Sequence, residues 1–81
     1  MNTRVAVIGI IVEKLGSVSA LNEILSEYGD YIIGRMGIPY KAKGINCITI
    51  VMDADMNTIN SLSGKIGKLE GVSSKAAFSN V

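Results

Sequence analysis

The sequence predicts an α+β sandwich in the order strand, helix, strand, strand, helix, strand, with a four-stranded antiparallel sheet and both helices on one face. Three observations predict it. Two segments, Arg4 to Val12 and Ile45 to Asp53, are almost unbroken runs of β-branched residues. Two others, from Ser17 and from Asp55, carry apolar residues at helical spacing. Finally, shifting the chain by about 41 positions lays Val18, Leu21, Leu25 and Tyr28 onto Ile59, Leu62, Ile66 and Leu69, so the pattern repeats.

The elements follow in chain order. Arg4 to Val12 (RVAVIGIIV) is apolar on both alternating faces and reads as a buried strand interrupted by Gly9. From Ser17 the period lengthens: Val18, Leu21, Leu25 and Tyr28, widened by Ile24, make one stripe of an amphipathic helix. Ser17 or Ser19 can cap its first turn through the hydroxyl, and Gly29 stands where a left-handed helix end is expected. Asp30 to Ile38 is a second strand, broken by Gly34 and Gly37 and expected to stop at Pro39, which has no N–H to donate. The polar segment from Pro39 to Gly44 connects it to the third strand, Ile45 to Asp53. Asp55, Asn57 or Thr58 can cap a second helix with the stripe Ile59, Leu62, Ile66 and Leu69, closed by Gly71. Val72 to Phe78 alternates as a half-exposed final strand. This is the split βαβ arrangement of the ferredoxin-like class, with the first and third strands at its centre and expected to run parallel to each other.

One domain spans residues 1–81, since a chain of 81 residues and 8.6 kDa buries only about 60 to 65% of its unfolded surface. The charge balance, 8 Lys and Arg against 7 Asp and Glu, lacks the basic footprint of a nucleic-acid or membrane-surface binder. With no His and a single cysteine, Cys47, the chain has no disulfide framework, His/Cys zinc site or His-based triad, and no cofactor is expected. No apolar stretch is long enough to span a bilayer and no leader pattern opens the chain, so the expected location is cytoplasmic.

Two helices cover one face of such a sheet, yet Val5, Val7 and Ile11 are as apolar as Ala6, Ile8, Ile10 and Val12. An uncovered apolar face predicts a homo-oligomer, a dimer or tetramer. The alternative is a monomer shielded by the Pro39 to Gly44 connection.

Few residues suggest chemistry. The glycines match neither phosphate-binding motif and read as strand irregularities. Cys47 reads as a small core residue, and the carboxylates Glu13, Asp30, Asp53, Asp55 and Glu70 as helix-end groups. Tyr28, Tyr31 and Tyr40 are too scattered to form an RNA-stacking platform. Arg35, between two glycines, either grips a carboxylate or phosphate or stands as a solvated edge-strand arginine. The turn Glu13 to Val18 (EKLGSV) places Gly16, Ser17 and Val18 where backbone N–H groups at a helix start can meet an anion. It resembles the Asp-x-x-Gly turn of ACT domains, with Glu13 in place of the acid and Leu15 where proline often stands; that resemblance implies amino-acid binding beside a neighbouring subunit. Ligand-binding residues are therefore expected to be Gly16, Ser17, Val18 and Arg35, with no catalytic or metal-binding set.

A wider resemblance runs through Val5 to Glu13 (VAVIGIIVE), Asn22 to Leu25 (NEIL), Glu27 to Tyr40 (EYGDYIIGRMGIPY) and Lys43 to Ile45 (KGI). These resemble the small regulators of the iron-only hydrogenase system, a likeness covering nearly the whole chain. The fold implied is similar to ACT domains and to the sensing domain of nickel-responsive ribbon-helix-helix repressors. The implied function is a non-enzymatic, ligand-responsive, oligomeric regulator. It would bind a small anionic metabolite such as an amino acid at a subunit interface, or act without ligand as an adaptor for a hydrogenase-related protein. Nickel sensing does not carry over, because the histidines are missing. Nor does direct DNA binding, because the sheet begins by Arg4. Acylphosphatases share the fold, but their glycine-rich loop does not follow Val12.

Overall fold

The computed structural model describes residues 2–81. Its elements are β1 (Arg4–Val12), α1 (Val18–Glu27), β2 (Ile32–Tyr40), β3 (Ile45–Ala54), α2 (Met56–Gly67) and β4 (Val72–Phe78). The four strands form one sheet in the order β2-β3-β1-β4, and both helices lie on one face.

Every neighbouring pair of strands is antiparallel, including β1 with β3. This corrects the expectation of a parallel central pair. The crossovers through α1 and α2 each skip one position in the sheet, and the strand that fills the gap runs the opposite way.

The core lies between the helices and one sheet face. Ala6, Ile8, Ile10 and Val12 of β1 and Ile48, Ile50 and Met52 of β3 pack against Leu21, Leu25, Ile59, Leu62 and Ile66. These residues occupy alternate strand positions and the predicted helical stripes. Burying each large side chain contributes about 1.5–3 kcal/mol before entropy is counted.

Several boundaries differ from those expected: β2 opens at Ile32 rather than Asp30, and α2 ends at Gly67, so Leu69 and Gly71 lie beyond the helix in the turn before β4. Gly29 opens a single 3₁₀ turn, Gly29–Tyr31, with negative φ, so α1 ends by tightening rather than by a left-handed residue. Pro39 lies inside β2, opposite Asn46, and the strand continues to Tyr40; β2 is an edge strand, where a missing donor is tolerated. Neither Ser17 nor Ser19 caps α1: Ser17, the residue at the cap position, makes no side-chain bond to the helix start. The α2 cap is as expected, with Asp55 accepting the Thr58 backbone N–H at 3.3 Å.

Candidate functional site

The turn between β1 and α1 is tied to the turn that precedes β4. The Glu13 N–H donates to the Gly71 carbonyl at 2.7 Å and the Ser17 hydroxyl to the Glu70 carbonyl at 2.7 Å, while the Lys14 ammonium pairs with the Glu70 carboxylate. The Ser17 hydroxyl is thus occupied within the fold. Gly16 sits in a 3₁₀ turn, Leu15–Ser17, and is exposed. Val18 opens α1 and is half-buried.

Arg35 reaches its position through a β-bulge. Ile32 pairs with Met52 and Gly34 with Val51, leaving Ile33 as an extra, outward residue that is 65% exposed. Uninterrupted pairing would place Arg35 opposite Thr49 on the open face; the bulge moves it opposite Ile50, on the helix side. There its guanidinium donates to Asn22 Oδ1 of α1 at 3.1 Å.

Between α1 and the uncovered end of β2 lies a cleft of about 230 Å³, lined by Val18, Asn22, Arg35, Gly37, Asn46 and Ile48 among others. It joins Arg35 and Val18 of the predicted residues; Gly16 and Ser17 are not among its lining. Asn22 and Asn46 complete its polar wall, and neither stood out in the sequence. Their roles depend on the β2 register, which no local pattern discloses. Among the described residues Arg35 has no acidic partner, so the cleft holds an uncompensated positive charge. A second hollow, near Tyr28, Ser61 and Lys65, contrasts with it. Lys65 is 3.6 Å from Glu27 and 5.1 Å from the Tyr28 ring centroid. Its pKa is raised, first by its interaction with Tyr28 and then by the Glu27 charge; this cation already has its partners.

The opposite sheet face carries Val7 and Ile11 of β1, Met36, Ile38 and Tyr40 of β2, and Cys47, Thr49 and Val51 of β3. Val7 and Ile11 are 43% and 44% exposed, so the Pro39 to Gly44 connection does not cover them. Cys47 is half-buried on this face rather than in the core, because it alternates with Ile48. Among the described residues no three of Cys, Asp and Glu gather closely enough to hold a metal ion, and no helix is long and apolar enough to cross a membrane.

Comparison with known proteins agrees with this architecture. No curated protein matches the chain. Among solved structures, uncharacterized protein TM1266 from Thermotoga maritima superposes with a TM-score of 0.91 at 29% identity, covering 95% of this chain and 98% of that one. Residues 4–76 match the TM1266-like family, described as candidate regulators of the iron-only hydrogenase system. Since the match covers β1 to α2 in full and most of β4, the chain belongs to the TM1266-like iron-only hydrogenase system regulator family.

Proposed function

We propose that this chain is a non-enzymatic regulatory domain of the iron-only hydrogenase system, working as a homo-oligomer whose state responds to a small anionic metabolite. The observation that carries this reading is Arg35, a guanidinium with no acidic partner among the described residues, in a cleft between α1 and an edge strand. An arginine offers five N–H donors in a fork suited to a carboxylate, and Asn22 uses one of them. The exposed edge of β2 beside the cleft is where a neighbouring subunit could add to the site. The open apolar face supports self-association, because soluble monomers rarely expose a contiguous patch of this kind.

The test is a thermal-shift screen of wild type and Arg35→Gln against small carboxylates. Ligand at about 100 times Kd adds roughly 2.7 kcal/mol, a shift on the order of ten degrees for a domain of this size. A dose-dependent rise in wild type that is lost in Arg35→Gln is expected. A flat response in both proteins would sink the sensor reading.

The apolar face favours a second reading, a ligand-free adaptor that docks a hydrogenase-related protein through Val7, Ile11 and Ile38. A pull-down in which that partner is recovered equally with and without metabolites would favour it over the sensor.

A further inference from the structure

The Arg35 cleft has a chemical character narrower than "anionic". Its polar lining consists of one guanidinium and two neutral carboxamides, Asn22 and Asn46, with no Asp or Glu. The rest is apolar or has no side chain: Val18, Gly37, Pro39 and Ile48. We infer that the cleft selects a short, branched aliphatic carboxylate whose second polar group is uncharged, such as an α-hydroxy acid, over the α-amino acid of the same skeleton. This inference rests on the sensor reading above and specifies its ligand.

Three features carry it. The carboxylate has a partner in Arg35, whose remaining N–H groups are not taken by an acid. A hydroxyl finds both donor and acceptor on a carboxamide, whereas an ammonium finds only neutral acceptors and stands in the field of the same guanidinium. Asn22 and Arg35 are exposed, so the ammonium keeps part of its water and the discrimination rests on repulsion from the guanidinium. The volume, about 230 Å³, lies below the roughly 300–1,000 Å³ of drug-sized sites, so the ligand is small. Val18 and Ile48 give it an apolar wall.

Gly37 supplies the depth. A Cβ built there meets only Ile48 Cγ1 at 3.9 Å, and φ is not positive, so neither crowding nor backbone strain requires glycine. A strand glycine that the fold does not need is the kind found where a ligand approaches the backbone closely.

Isothermal titration calorimetry on the full chain tests this with three probes: α-hydroxyisovalerate, valine and the neutral amide of the hydroxy acid. The hydroxy acid should bind about tenfold or more tightly than valine, and the amide should not bind measurably. Asn46→Asp, which introduces the missing acid, should turn the preference toward valine. Gly37→Val should melt no lower than wild type yet bind none of the probes. Arg35→Gln, at an exposed position, serves as a second loss-of-binding variant should Gly37→Val fold poorly. Equal or tighter valine binding by wild type, abolished by Arg35→Gln, would overturn the hydroxy-acid preference and leave the sensor intact. A preference unmoved by Asn46→Asp would overturn the role given to the carboxamides. Absence of binding by every carboxylate would overturn both.

Discussion

Gly71 presses against Lys14: a side chain at position 71 would bring its Cβ within 2.5 Å of the Lys14 Cβ and 3.0 Å of the Lys14 nitrogen. Its φ of +71° is also in the left-handed region that favours glycine. At this point the turn before β4 closes on the turn after β1, with the Gly71 carbonyl accepting the Glu13 N–H. Gly71→Ala should therefore cost at least about 1–2 kcal/mol from the backbone alone, and more from the contact. Gly16→Ala, where a Cβ meets nothing within 4 Å, is the control. Denaturant midpoints of the two variants measure the difference.

The uncovered sheet face predicts the oligomeric state. Ile11 lies on this face on the inner strand β1, 44% exposed and opposite Cys47 on β3 and Ser73 on β4. Ile11→Arg should leave the secondary structure intact and convert the assembly to a monomer, since a face-to-face contact would bury the new charge without a partner. Light scattering coupled to size exclusion reads this directly. A wild type already running at 8.6 kDa would count against the oligomer.

Acid stability should depend on the α2 cap. The Asp55 carboxyl has a lowered pKa, chiefly because it accepts hydrogen bonds from the Thr58 hydroxyl and, secondarily, backbone N–H groups. A depressed folded-state pKa gives stability that is present above the ordinary value near 3.8 and is lost as pH falls through the lower one. Asp55→Asn keeps a capping oxygen with no charge to titrate. The wild-type advantage over this variant should be seen at neutral pH and shrink below pH 3.8, as followed by melting curves across the acid range.

Within the core, Leu21 is fully buried where α1 meets the sheet. Leu21→Ala should cost about 2–5 kcal/mol through lost contacts and the cavity left behind. Tyr28→Phe tests a smaller term, the hydrogen bond of 2.8 Å between the Tyr28 and Ser61 hydroxyls that links α1 to α2. It should cost about 0.5–1.5 kcal/mol. Equilibrium urea unfolding distinguishes the two magnitudes.

Much of the architecture was legible residue by residue. β1 and β4 begin and end where the hydrophobic pattern places them, and Ile59, Leu62 and Ile66 form the buried stripe of α2 as their spacing indicates. Of the residues that line the cleft, the sequence singled out Arg35 for its guanidinium and Val18 for its backbone N–H at a helix start, whereas in the cleft Val18 is an apolar wall. Asn22 and Asn46 were not singled out, because a polar residue beside an apolar stripe has the appearance of an ordinary solvated one. Ser17 read as a helix cap, but its hydroxyl bonds to Glu70, 53 residues away in sequence.

Hydrophobic period by itself determined the element order, the two helical stripes and the fact that one sheet face would be left without a helix. Period is a local property: it records which side chains leave water, and each strand or helix displays it alone. Only the tertiary structure decided strand direction and register. The antiparallel central pair follows from how two crossovers interleave. The face taken by Arg35 follows from one unpaired residue, Ile33, because side chains alternate with a period of two and a single extra residue reverses all that follow. The cleft therefore exists through a pairing between β2 and β3 that neither segment specifies alone.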